Sequence, residues 1–187
     1  MNATAFVLIM MFINFALMLL FVRFMIQLAE IDRREPVARA TYRLTSVVDL
    51  FARIFPNVGS GRISMAAVVL MLLLCLIGVA VENASLGKSI TAAELFFVGS
   101  LGGIMKFLQL LRYTMIVSAI SSLLMMFMNV NNSLMGVLMQ LAEPIVAPFR
   151  RFVPNIGMID LSFLVALFSL LLLENVVGII GRYIWNL

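Results

Sequence analysis

A run of apolar residues from Ala3 to Leu28, interrupted only by Asn14, Arg23 and Gln27, constrains this chain more than anything else in it. About 20 such residues cross the hydrocarbon of a bilayer, where backbone N–H and C=O groups must bond within the segment, so the run has to be helical. Comparable runs recur at 65–81, 104–128 and 161–180. The 187 residues are 64% hydrophobic and 12% charged, against roughly half and a quarter in soluble domains. The reading is an all-α membrane protein with about four transmembrane helices. With no Lys or Arg ahead of it, the first run lacks the basic flank of a cleaved signal peptide and is read as a retained span.

A duplication organises these spans. Phe51-Ala52-Arg53-Ile54-Phe55-Pro56-Asn57-Val58-Gly59 returns as Phe149-Arg150-Arg151-Phe152-Val153-Pro154-Asn155-Ile156-Gly157, offset by 98 positions (154 − 56). The match continues without a gap through Ser64 and Ser162 into the leucine runs at 72–74 and 170–172. Self-similarity at a fixed period marks a repeated structural unit. The first unit, 1–90, holds spans 3–28 and 65–81 around an interfacial helix at 37–55. The second, 91–187, holds spans 104–128 and 161–180 around an interfacial segment at 134–153.

Local signals place the joints. From 37 to 55, Arg39, Arg43, Ser46 and Arg53 share one helical face, opposite Ala40, Leu44, Val47, Phe51 and Ile54. That pattern suits a helix lying in the membrane interface or one packed on the protein's own spans. Pro56-Asn57-Val58-Gly59 is a turn, with Gly59 free to take positive φ. Ser64 is placed to cap the second span, and Thr91 with Glu94 has capping-box spacing. Residues 92–128 are too long for one straight span and too short for two with a proper turn. Gly99, Gly102 and Gly103 are the natural break, giving a short interfacial or re-entrant helix before the third span. Two full spans there would invert the repeat. Pro144 and Pro148 are expected to break or kink 134–153. Asp160 or Ser162 caps the last span, and Arg182, Tyr183 and Trp185 form an interfacial anchor.

Charge placement sets orientation and excludes several chemistries. Arg33, Arg34, Arg39, Arg43, Arg53 and Arg62 lie in the first connection and Arg150 and Arg151 in the third, against Lys88 and Arg182 on the other side. The positive-inside rule puts both Pro-Asn-x-Gly turns in the cytoplasm and both termini in the periplasm, making the repeats parallel. With no histidine and one cysteine, Cys75, disulfides, Cys/His metal sites and His-dependent triads are out. No cofactor is implied. Nor is nucleic acid, since the basic residues form no soluble patch interleaved with aromatics.

Two groups are candidate functional sites. Arg150 and Arg151, flanked by Phe149 and Phe152 and followed by Pro154 and Gly157, would hold anionic lipid headgroups or a partner's acidic segment, or serve as a plain topology anchor. Arg53, Pro56 and Gly59 are their first-copy counterparts. Within the spans, Lys106, Gln109 and Arg112 share one face, while Glu174 and Asn175 interrupt the fourth. Arg112 and Glu174 lie about 25 and 21 Å from the cytoplasmic ends of their spans, so they can meet. They form either a polar passage or a structural ion pair beside a snorkelling lysine. Arg23 is read as snorkelling to headgroups.

The turn sequences, above all Leu138 to Asp160 with Pro144, Pro148, Arg150, Arg151, Pro154, Gly157 and Asp160, resemble the YggT family of small inner-membrane proteins. The first copy departs from the pattern with Leu50 for Pro148, Ala52 for Arg150 and Gly61-Arg62 for Ile159-Asp160. The resemblance implies two YggT units, as in proteobacterial members. It also implies a non-enzymatic protein of the bacterial cytoplasmic membrane with osmotic-stress or potassium phenotypes. Plastid relatives are linked to cytochrome maturation and nucleoid distribution. The expected function is a scaffold or assembly factor engaging the bilayer, anionic headgroups and an unidentified membrane protein. The alternative is a small homo-oligomeric ion channel or transporter.

Overall fold

The computed structural model describes residues 3–59, 61–128, 133–153 and 160–185. They form α1 (Ala3–Leu28), α2 (Pro36–Leu44), α3 (Val47–Phe51), α4 (Met65–Ser85), α5 (Ala92–Met128), α6 (Ser133–Arg150) and α7 (Leu161–Trp185). Four are long and apolar enough to span a bilayer: α1, α4, α5 over Ala92–Phe127 and α7 over Leu161–Tyr183.

α4 packs between α1 and α5, and α7 packs against α5. α6 lies against α5 and α7, while α2 rests on α1 and α3 on α4. Buried side chains gather in two cores. One is built mainly from α1 to α4, the other from Met115, Ala142, Val146, Ala166 and Leu170 of α5, α6 and α7. Burial recurs at the 98-residue offset: Leu17 and Met115, Val48 and Val146, Ser64 and Ser162 are all buried. Phe107 of α5 meets Phe21 and Phe24 of α1 edge-on, with centroids 5.5 and 5.6 Å away, and joins the two halves.

The joints form for local reasons. Gly59 takes φ +65° where the first turn reverses, and Val58 and Ile63 close it with two backbone hydrogen bonds of 3.0 and 3.1 Å. Ser64 Oγ accepts from Ala67 N at 3.3 Å and starts α4. Thr91 Oγ1 accepts from Glu94 N while Glu94 Oε2 accepts from Thr91 N, the reciprocal box that starts α5. Asp160 Oδ1 accepts from Ser162 N at 3.0 Å and starts α7.

Two expectations are corrected and a third is narrowed. No separate re-entrant helix precedes the third span: α5 is continuous for 37 residues, roughly 55 Å long. Its glycines are packing positions instead of breaks. A Cβ at Gly99 would lie 2.5 Å from Leu76 Cδ2 and one at Gly103 3.4 Å from Cys75 Sγ, so bare backbone there lets α4 close on α5. On the other side, Gly181 and Gly178 of α7 face Leu101 and Met105 of α5. The interfacial helix at 37–55 is two pieces, α2 and α3, because the chain leaves the α-helix at Thr45. Of the two outcomes expected at Pro144 and Pro148, a break does not occur: α6 runs through both prolines. Val137, Leu141, Ala142 and Val146 bury its other flank and hold it in place.

Candidate functional site

At each corner an arginine is exposed without a salt bridge among the described residues. α2 and α3 bury Ala38, Thr41, Thr45 and Val48. They leave Arg39, Arg43 and Arg53 exposed, together with the apolar series Leu44, Val47, Leu50 and Ile54. The element thus packs on the spans and also presents a basic and a greasy surface outward. Arg53 is exposed and makes no salt bridge among the described residues, and its neighbour Ile54 is 70% exposed. At the equivalent positions, Arg151 is also exposed without a salt bridge among the described residues, beside Phe152 at 85% exposure. Pro56 and Gly59 are exposed; Pro154 and Gly157 lie outside the described residues.

Arg150 does something else. Its guanidinium bonds Glu143 Oε1 and Asp160 Oδ2, the latter at 3.1 Å, and so ties α6 to the start of α7. The sequence offers no reason to pair Glu143 with Asp160; they meet because one arginine sits between them. Burial pushes the Asp160 carboxyl up, but the hydrogen bond and charge of Arg150 and the bonds from Ser162 outweigh it and hold it below its ordinary range. Phe149 is half-buried against the second core. In the first copy the equivalent of Asp160 is Arg62, and the charge logic is reversed. Arg62 Nε bonds Glu30 Oε1 at 2.6 Å, and Gln27 Nε2 donates to Gly61 O at 2.6 Å, so the turn is tied to the end of α1.

Arg23 is the residue that sequence reasoning placed wrongly. It does not snorkel: it is 3% exposed. Its Nη1 donates to Thr45 O at 2.7 Å and to Thr45 Oγ1 at 3.2 Å, and its Nη2 pairs with Asp49. The guanidinium carbon lies 4.6 Å from the centroid of the Tyr42 ring, which Arg33 also approaches at 4.6 Å. Thr45 O also receives Val48 N at 3.0 Å, a tight turn that separates α2 from α3. Arg23 therefore clamps the break itself. The available signal was a lone cation on α1 facing an acid, Asp49, on an otherwise basic segment.

Inside the spans, Arg112 Nε and Glu174 Oε1 meet at 2.8 Å, with side chains 23% and 13% exposed. The pairing foreseen from depth is present. Lys106 is apart from it, donating to neutral Asn14 Oδ1 at 3.2 Å. Gln109 lines the same cavity as Lys106. Asn175 is exposed and donates back to Leu171 O at 2.8 Å, so it joins none of the others. No group of three metal-ligating side chains occurs among the described residues.

Sequence relatives give this architecture its place. The profile of the CCB3/YggT family matches residues 98–181, which is the second copy and its arginine corner. An uncharacterized protein of Vibrio alginolyticus is 31% identical over 188 residues, covering 99% of this chain and 98% of its own. The chain belongs to the CCB3/YggT family. An uncharacterized protein of Haemophilus influenzae is 31% identical over 87% of this chain and 85% of its own, and one of Pseudomonas aeruginosa 27% over 86% and 81%. No solved structure matches. The matched part contains both Arg150, which bonds Glu143 and Asp160, and Arg151, which makes no salt bridge among the described residues.

Proposed function

We propose that this CCB3/YggT protein is a non-enzymatic scaffold of the bacterial cytoplasmic membrane, gathering anionic lipid at its arginine corners and presenting it to a membrane-protein partner. One observation carries the reading: Arg53 and Arg151, at the same position of the two copies, are exposed without a salt bridge among the described residues, each beside an exposed apolar side chain. An arginine with an adjacent greasy residue suits the headgroup boundary, where the ring or alkyl chain dips in and the guanidinium meets phosphate. Base-rich connections put both corners in the cytoplasm and the termini in the periplasm. An osmotic-stress role fits a protein that reads lipid charge and packing. The alternative, a small oligomeric channel, would use Lys106, Arg112 and Glu174; two of those three charges neutralise each other, which favours the scaffold.

Native mass spectrometry of protein released from vesicles with and without phosphatidylglycerol tests this. Each of Arg53→Ala and Arg151→Ala should weaken phosphatidylglycerol retention about fivefold, corresponding to roughly 1 kcal/mol per basic residue at an anionic surface. Retention unchanged in the double variant rules the reading out.

A further inference from the structure

Two cavities meet at Lys106. The first, about 750 Å³, lies between α1, α4 and α5, with Leu17, Met71, Ile104 and Phe107 among its apolar walls. The second, about 560 Å³, extends past Gly99 and Gly102 to Glu82 and Arg182. Lys106 and Cys75 line both. Along α5 the first cavity reaches from Ser100 to Tyr113, roughly 20 Å at 1.5 Å per residue. Lys106 sits near the middle of that stretch, with about 10 Å of apolar wall on its Tyr113 side. A fatty chain anchored there by its acid group has its proximal part in the cavity and its end in the surrounding lipid, where one leaflet's chains span about 15 Å.

The charge at this junction is unbalanced. Lys106 makes no salt bridge among the described residues, and its hydrogen-bond partner, Asn14, is neutral. The other intramembrane cation of α5, Arg112, has Glu174. A lone ammonium about 16 Å along α1 from Ala3, the depth of Asn14, is costly unless an anion joins it. Few polar groups line the first cavity beside Lys106 (Asn14, Gln109, Ser100 and Tyr113), which suits a compact monoanion better than a phosphate seeking several donors.

We infer that the joined cavities bind a long-chain fatty-acid carboxylate, its acid group on Lys106 Nζ beside the Asn14 amide and its chain along Leu17, Met71 and Phe107. The site is independent of the arginine corners. Its test uses the full chain in an uncharged detergent, with oleate, oleyl alcohol and acetate as probes. Oleate should raise the melting temperature by several degrees in a saturable way, while oleyl alcohol, lacking the charge, and acetate, lacking the chain, leave it unmoved. Lys106→Met and Met71→Trp, which removes the charge or fills the apolar wall, should each abolish the oleate shift; Arg53→Ala and Arg151→Ala should keep it. A diazirine-bearing fatty acid should crosslink wild type on α1, α4 or α5 around the first cavity, a readout that does not depend on either variant folding. An oleate shift that survives Lys106→Met, an equal response to oleyl alcohol or acetate, or crosslinks confined to other surfaces overturns the inference.

Discussion

Replacing Asp49 with alanine strands the Arg23 guanidinium inside the protein. Arg23 is 3% exposed and its Nε is already buried without a partner. Asp49, by contrast, has a side chain 63% exposed and loses little by itself. A hydrogen bond to a charged group contributes about 1.5–3 kcal/mol, and the solvated carboxylate end places this one near the lower limit. Asp49→Ala should therefore raise the opening equilibrium of α2 and α3 by about 1.5 kcal/mol, roughly tenfold. Arg23→Met removes the stranded charge, fills much of the arginine stem, and leaves Thr45 O still bonded to Val48 N. The double variant should accordingly open less readily than Asp49→Ala alone, a negative interaction energy where independent sites would give zero. Hydrogen exchange across residues 37–51 in lipid nanodiscs measures all four corners of the cycle. If the two single losses simply add, Arg23 is not a desolvated charge and the clamp account is refuted.

Two further outcomes follow from the same geometry. Gly99→Ala brings a Cβ within 3.3 Å of Leu76 Cα, which is backbone and cannot swing aside, so α4 and α5 should separate at a cost of about 1–3 kcal/mol. Gly102→Ala, with nothing within 4 Å, should be neutral or gain up to about 1 kcal/mol in helix propensity; thermal melts in detergent compare them. Asp160 has a depressed folded pKa, so its contribution is present above the unfolded carboxyl value of about 3.9 and is lost as pH falls through the lower folded one. Wild type should thus be more stable than Asp160→Asn at neutral pH. The gap, read from melting temperature against pH, should close below about pH 4.

Apolar run length settled by itself that this chain makes four membrane helices, because lipid leaves the backbone no other way to satisfy its hydrogen bonds. The same holds for the punctuation: Ser64, Gly59, Thr91 with Glu94, and Asp160 act within four residues of themselves, and each appears where local chemistry demands. Depth counting even foresaw the meeting of Arg112 and Glu174. What the linear text left open were choices between partners far apart in sequence. Whether Gly99 and Gly103 end a helix or admit a neighbour depends on whether α4 lies against them, and Leu76 and Cys75 decide it. Whether Arg23 reaches for headgroups or turns inward depends on Thr45, Tyr42 and Asp49, more than one turn of chain away. Arg150 and Arg151 look alike in sequence, yet helical spacing sets the first on the face of Glu143 two turns back along α6, tertiary packing adds Asp160, and the second is left facing out. Local hydrogen bonding and solvent are written along the chain; which charge finds a countercharge is a property of the folded surface around it.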